Sequence, residues 1–137
     1  MRHYFAYGSN MDRAHMARLC PAAEALGLAH LDNWHFFVAR GGFASIAPRR
    51  GLRVLGVLWR ITASDRIALD GYEAVGDGLY QPTLLPVHHG DKLLRALGYV
   101  ASDPTPGRPR PKYRELVLAA ARDWRLPESY LRELERM

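Results

Sequence analysis

The sequence predicts an α+β domain: a small mixed or antiparallel β-barrel, or a strongly curled sheet, flanked by short helices. Three observations carry that expectation. Several short apolar runs are separated by Gly, Pro, Asn and Asp turn signals. Few of the intervals between them hold a helical period, which argues against a doubly wound sheet with a helix on every crossover. Residues 52–61 are apolar almost without a break, too continuous for a strand with one wet face, and so belong at the centre of the sheet.

In chain order, residues 3–7 read as an apolar strand that runs straight into Gly8-Ser9-Asn10. Residues 12–19 then read as a short helix, capped by Asn10 or Asp12 and stopped by Pro21. Residues 22–26 favour a helix by propensity, yet Gly27 weakens it, and the stretch leans towards a strand hairpin that turns at Asp32-Asn33 into Trp34. Gly41-Gly42 breaks the chain before the run 43–46, and residues 48–51 read as a further polar turn. Beyond the central strand, Thr62 or Ser64 caps a helix over 65–72 with Ile67, Ala68 or Leu69 facing inward, and Gly76 and Gly78 mark its exit. Runs 79–88 and 92–100 pair as a hairpin through His89-Gly90-Asp91. Residues 103–111 carry too much proline for regular structure and must span a distance. Two helices close the chain, over 112–124 and 128–135, the second begun through Leu126-Pro127.

At 137 residues the chain fits a single domain, 1–137, long enough for a real core. It contains no signal-peptide pattern and no apolar run approaching the roughly 18 residues of a membrane helix. A soluble, cytoplasmic protein without a membrane partner is therefore expected. Cys20 is the sole cysteine, which precludes an intrachain disulfide and fits a reducing compartment; just ahead of Pro21 it reads as a buried, inert thiol. The formal charge is +5, but 17 of the 19 basic residues are arginine, a compositional bias more than a binding surface. Neither Arg49, Arg50 and Arg53 nor Arg108, Arg110, Lys112 and Arg114 interleave aromatics as stacking platforms do, so no nucleic-acid partner is expected. Nothing in the residues sets the oligomeric state.

The residues able to do chemistry are few. His3, His15, His30, His35, His88 and His89 form no i, i+4 pairing with carboxylates, and adjacent His88 and His89 point to opposite faces of a strand, so no metal is expected. The strand-to-helix turn at Gly8-Ser9-Asn10 offers free N–H groups that favour an anion, close backbone approach at Gly8, and a hydroxyl and an amide to orient a ligand. Ser9 lacks the second glycine of a nucleophile elbow and reads as a binder. Glu73 lies between apolar neighbours at a helix exit, where desolvation raises a carboxylate pKa and makes it a better base at neutral pH, provided it faces a cavity.

Read together, Tyr4-Phe5-Ala6-Tyr7-Gly8-Ser9-Asn10-Met11, the Leu69-Asp70-x-x-Glu73-x-Val75 segment ending in Gly78-Leu79-Tyr80, Pro111-x-Tyr113 and Leu126-Pro127-x-x-Tyr130 resemble the γ-glutamylcyclotransferase family in order and approximate spacing. The resemblance runs from about Tyr4 to Leu134, and the Tyr7-Gly8-Ser9-Asn10 loop is closest to the branch acting on γ-glutamyl amino acids. It implies a small β-barrel with flanking helices around a pocket for a small-molecule γ-glutamyl substrate, cyclised to 5-oxoproline with release of the amine and without a cofactor. It maps the acid/base glutamate to Glu73, the binding loop to Tyr7, Gly8, Ser9 and Asn10, and the pocket tyrosines to Tyr80 and Tyr113. Arg125 departs from the pattern, standing where the family has a glycine before Leu126-Pro127.

The chemistry suits that assignment. The α-amine of a γ-glutamyl compound reaches its own γ-carbonyl to close a five-membered ring, so no enzyme nucleophile is needed. Holding the substrate in that pose is worth roughly 7–11 kcal/mol of barrier. Glu73 would serve as base and then acid, Tyr80 would orient Glu73 or the substrate, and the loop N–H groups would hold either the α-carboxylate or the developing oxyanion. Two alternatives stand beside this reading: cyclisation of a γ-glutamylamine or a biosynthetic intermediate, and a non-catalytic regulatory protein that binds a small carboxylate, which has no use for a base such as Glu73.

Overall fold

The computed structural model describes residues 2–137, and its centre is a closed barrel of five strands in the order β1-β3-β2-β4-β5. The strands are β1 (Arg2–Ala6), β2 (Glu24–Val38), β3 (Ala44–Ile61), β4 (Tyr80–His89) and β5 (Lys92–Ala101). All neighbours run antiparallel except β1 and β5, which meet in parallel at Tyr4 and Leu97. The helices are α1 (Arg13–Leu19), α2 (Ala63–Tyr72), α3 (Pro111–Asp123) and α4 (Glu128–Glu135). None is long and apolar enough to cross a membrane.

The expected central strand is β3, and its continuous apolar run has a direct physical reason. Val54 and Leu58 point into the barrel with Phe5, Leu31, Leu85 and Val87, while the alternate residues Leu55, Val57, Trp59 and Ile61 pack outward against Met16, Leu69, Val117 and Leu134 of the helices. Over residues 54–59 both faces are dry, so neither carries a polar side chain, while Leu52 and Arg53 at the start of the expected run are exposed and Arg60 near its end is partly so.

Two expected turns are corrected. Asp32-Asn33 does not reverse the chain and residues 48–51 do not end a strand: β2 and β3 pass through both, and the reversal between them occurs only around Gly41-Gly42. The two turn signals face each other across the pair, because the register steps from Asp32 opposite Arg53 to Trp34 opposite Pro48. Asn33 therefore stands alone against residues 49–52. It takes φ +65°, and its side-chain oxygen accepts the Gly51 N–H at 3.1 Å. An irregular bulge of four residues against one thus absorbs both breaks without ending the ladder.

The shorter elements follow their local signals. Asp12 is the cap of α1, accepting the His15 N–H at 2.8 Å. Thr62 caps α2 through a reciprocal box with Asp65 at 3.2 and 3.0 Å. Leu69 is the inward residue of α2; Ile67, also expected to face inward, is 73% exposed because it lies two positions round the helix from that stripe. The β4–β5 hairpin turns at Gly90-Asp91. The proline-rich stretch 103–110 crosses the end of the barrel, tied down where Arg40 N–H meets Thr105 O at 2.8 Å and Gly107 N–H meets Val38 O at 2.8 Å.

Candidate active site

The barrel interior and the helix-covered core meet at one end of the molecule, where β1 leaves the sheet. Ser9–Met11 forms one 3-10 turn, whose bonds run from Met11 N–H to Gly8 O and from Asp12 N–H to Ser9 O, both at 3.0 Å. The N–H groups of Ser9 and Asn10, first in that turn, have no backbone acceptor among the described residues. Ser9 and Asn10 are nonetheless buried. Asn10 Nδ2 donates to the Tyr4 hydroxyl at 2.8 Å, and its Oδ1 is buried without a partner. Gly8 is required by space, since a Cβ there would lie 2.6 Å from the Tyr113 hydroxyl oxygen. From the far end of the chain, Trp124 Nε1 donates to Met11 O at 2.7 Å and ties α3 to the loop.

Glu73 comes to the same place from α2. It is the residue on which the helix ends, its N–H still bonded to Leu69 O at 2.9 Å, and Ala74 then turns the chain away at φ +52°. The carboxylate is half-buried and has no cation paired with it among the described residues. Burial raises its pKa from 4.5 to about 7, the value a group needs to take and return a proton near neutrality.

Between loop and helix end lies a cavity of about 220 Å³. Every residue singled out from the sequence lines it: Tyr7, Gly8, Ser9 and Asn10 from the loop, Glu73, Tyr80 at the start of β4, and Tyr113 in the first turn of α3. Sequence reasoning placed the segment around Phe43 on the leaving-group side of the pocket, and Phe43 lines the wall; it did not single out Tyr4, Tyr72 and Tyr99 there. Six of the chain's seven tyrosines face this one cavity, a concentration whose only trace in the sequence is the tyrosine count.

Most of these hydroxyls are committed to the protein. Tyr7 donates to Tyr99 O, Tyr80 to Ala44 O at 2.7 Å, and Tyr99 to Asp70 Oδ1 at 2.6 Å, the same carboxylate that Arg66 Nε holds at 3.0 Å. Tyr80 thus spends its proton on the β3 backbone and keeps only lone pairs for a ligand. The Tyr113 hydroxyl accepts the Ala44 N–H at 3.2 Å. Burial pushes Tyr113 up to about 12 against the opposing pull of the Ala44 and Ser9 amides, and burial raises Tyr4, Tyr7, Tyr80 and Tyr99 as well. The tyrosines therefore stay neutral while Glu73 titrates. At the rim, Phe43 meets Tyr113 edge to face at 5.1 Å, and the Arg110 guanidinium lies 4.9 Å over Phe43.

Other candidate groups lie elsewhere. Cys20 is buried, with its thiol raised to about 11 by burial, in keeping with the inert reading. His30, Asp32 and His88 bring three ligand atoms within 4.8 Å of one another, none of them in the cavity wall.

A family model described as the AIG2-like family matches residues 53–134, more than half of the chain. The chain belongs to the AIG2-like family. The matched span includes Glu73, Tyr80 and Tyr113 and stops short of the 7–10 loop. Longer alignments join this AIG2-like chain to the gamma-glutamylcyclotransferases of Bos taurus, 29% identical, and Homo sapiens, 28% identical, each over 96% of this chain and 76% of the relative. A solved structure described as a gamma-glutamyl cyclotransferase superposes with a TM-score of 0.92 over 99% of this chain and 87% of its own length, at 24% identity. The AIG2-like barrel is thus the expected γ-glutamylcyclotransferase-type fold.

Proposed function

We propose that this protein is a γ-glutamylcyclotransferase-type enzyme that converts a γ-glutamyl amide to 5-oxoproline and a free amine. The observation that carries the reading is Glu73, a carboxylate raised to about 7 by burial in a tyrosine-walled cavity beside a loop whose first amides have no backbone acceptor. The names of the relatives support the same chemistry.

In this mechanism the α-nitrogen of the substrate bonds to its own γ-carbon and the amide C–N bond breaks. Two protons pass from the α-ammonium to the leaving nitrogen, and one carboxylate near pKa 7 carries each in turn. Such proton transfer supplies about 10²- to 10⁴-fold, on top of the roughly 7–11 kcal/mol obtained by holding the folded pose. Asn10 Oδ1, buried and unpartnered, is the acceptor for the α-ammonium; the Ser9 and Asn10 N–H groups take an anionic oxygen of the substrate. The neutral tyrosines exclude water and offer acceptor lone pairs without competing for the proton. At about 220 Å³ the cavity is smaller than the roughly 300–1,000 Å³ of drug-sized sites, which suits an amino-acid-sized group with its amine leaving through the Phe43 rim.

The test is 5-oxoproline release from γ-glutamyl amino acids, γ-glutamylamines and glutathione, run beside Glu73→Gln. Release from one class, abolished by the substitution, supports the assignment and names the leaving group. Near wild-type release by Glu73→Gln would overturn the proton-transfer role. Tight binding of γ-glutamyl compounds without any release would favour the regulatory binder.

A further inference from the structure

The barrel closes through two thin seams, each with a single registered pair among the described residues: β1 to β5 at Tyr4 and Leu97, and β2 to β4 at His30 and His88. The first is covered, because Tyr4 and Leu97 are buried in the core beneath the helices. The second is not. His30 and Asp32 alternate along β2 with the buried Ala29 and Leu31, so both stand on the outer face of the barrel, and His88 faces His30 from β4. The two imidazoles stack with centroids 4.8 Å apart and planes inclined by 13°. Asp32 bridges them, with Oδ1 3.6 Å from His30 Nε2 and Oδ2 3.4 Å from His88 Nε2.

We propose that His30, Asp32 and His88 bind a borderline divalent transition-metal ion, Zn²⁺ or a close relative, which staples β2 to β4. Four ligands at about 2.0–2.1 Å from a tetrahedral zinc lie about 3.4 Å apart, close to the 3.6 and 3.4 Å of the two Asp32 contacts, one from each carboxylate oxygen, and the three ligand atoms already lie within 4.8 Å of one another. Two imidazole nitrogens and one carboxylate suit zinc, nickel, cobalt or copper and are a poor match for magnesium or calcium, which take oxygen ligands. The side chains are 34–52% exposed, so the rings have room to tilt until their lone pairs converge, and water fills the fourth position. The next residue, Asn33, takes φ +65° and accepts the Gly51 N–H, which fixes the backbone beside Asp32. Arg53, opposite Asp32 in the β2–β3 register, is a neighbouring cation that limits the affinity. Residue spacing along the chain argued against a metal because it counts only local pairs; the ligands here are joined by strand pairing.

The site is tested on the full chain, stripped with a chelator and titrated with ZnCl₂ in equilibrium dialysis, with thermal unfolding as a second readout. Wild-type protein is expected to bind one Zn²⁺ per chain and to gain Tm with added zinc. His88→Ala and Asp32→Asn should each bind roughly 10- to 100-fold more weakly and lose the Tm response, while His35→Ala keeps both. If His88→Ala fails to fold, His30→Gln and Asp32→Asn make the same comparison. Absence of binding in the wild type, or zinc binding unchanged in folded variants of the triad, overturns the proposal. Neither readout depends on 5-oxoproline release, so this inference stands or falls apart from the proposed activity.

Discussion

Two hollows in this molecule differ in size and in chemistry, and the smaller one holds the candidate site. A groove between the β2–β3 bulge and α4 measures about 480 Å³, more than twice the tyrosine cavity at about 220 Å³. The groove is bordered by Arg53, Glu133 and Arg136, charges of both signs that reach water. Water solvates such groups and leaves them no special reactivity. In the cavity a single carboxylate is partly desolvated, has no paired cation among the described residues, and shares the wall with loop amides that lack a backbone acceptor and with the unpartnered Asn10 Oδ1. Chemistry is marked by that convergence of desolvated groups, and volume alone does not reveal it.

The sharpest way to break the contrast is a pair of charge removals. Glu73→Gln should lower kcat for 5-oxoproline release by at least about 10²- to 10⁴-fold, whereas Glu133→Gln in the groove should leave it unchanged. A matching loss from Glu133→Gln would move the site to the groove. Next in size is Gly8→Ala, whose methyl group must displace the Tyr113 hydroxyl from 2.6 Å. A shift of that kind in a reacting pose costs on the order of 10²-fold in kcat/KM. Gly8→Ala combined with Tyr113→Phe should recover part of the loss; no recovery would mean that the loop itself, and not the contact, is disturbed.

The Glu73 carboxylate also leaves a signature in stability. Folding raises its pKa from 4.5 to about 7, so between those values the native state holds a proton that the unfolded chain has released. Stability therefore falls as pH rises through that window and levels off above it. Urea titrations from pH 4.5 to 8 should show wild type losing about 1–3 kcal/mol relative to Glu73→Gln, and kcat/KM should rise on a limb near pH 7. A flat difference would mean that the Glu73 carboxylate is solvated.

The smallest effect compares two left-handed residues. Ala74 at φ +52° follows Glu73, and Arg125 at φ +58° makes the turn into α4. Replacing either with glycine relieves about 1 kcal/mol of backbone strain, read as a higher Tm. Only Ala74→Gly should also reduce kcat, because it loosens the backbone that aims Glu73. Arg125 itself adopts the left-handed conformation this turn uses, so the turn forms without a glycine.

Much of this was legible in the residues. The loop at 7–10, Glu73, Tyr80 and Tyr113 line one cavity as a group, because their motifs combine local geometry with a family pattern. The extra wall of Tyr4, Tyr72 and Tyr99 was not legible, since a tyrosine beside apolar neighbours has the same local pattern whether it fills a core or faces a cavity. Ile67 shows the same limit at the scale of one helix, where three apolar neighbours left the inward face open until packing chose Leu69.

By itself, the order of apolar runs and punctuating residues determined the α+β class, the caps of α1 and α2, the β4–β5 hairpin and the burial of the 54–59 stretch of β3, because those depend on periodicity and on turn chemistry within a few residues, whereas it left a barrel and a curled sheet both open. Tertiary structure alone decided that the breaks at Asn33 and at 49–52 cancel in a bulge, that Tyr80 gives its proton to Ala44 O, and that His30, Asp32 and His88 meet across a seam. Each of these depends on which strand lies beside which, and strand register is set by burial summed over the whole barrel, a quantity that no local stretch contains.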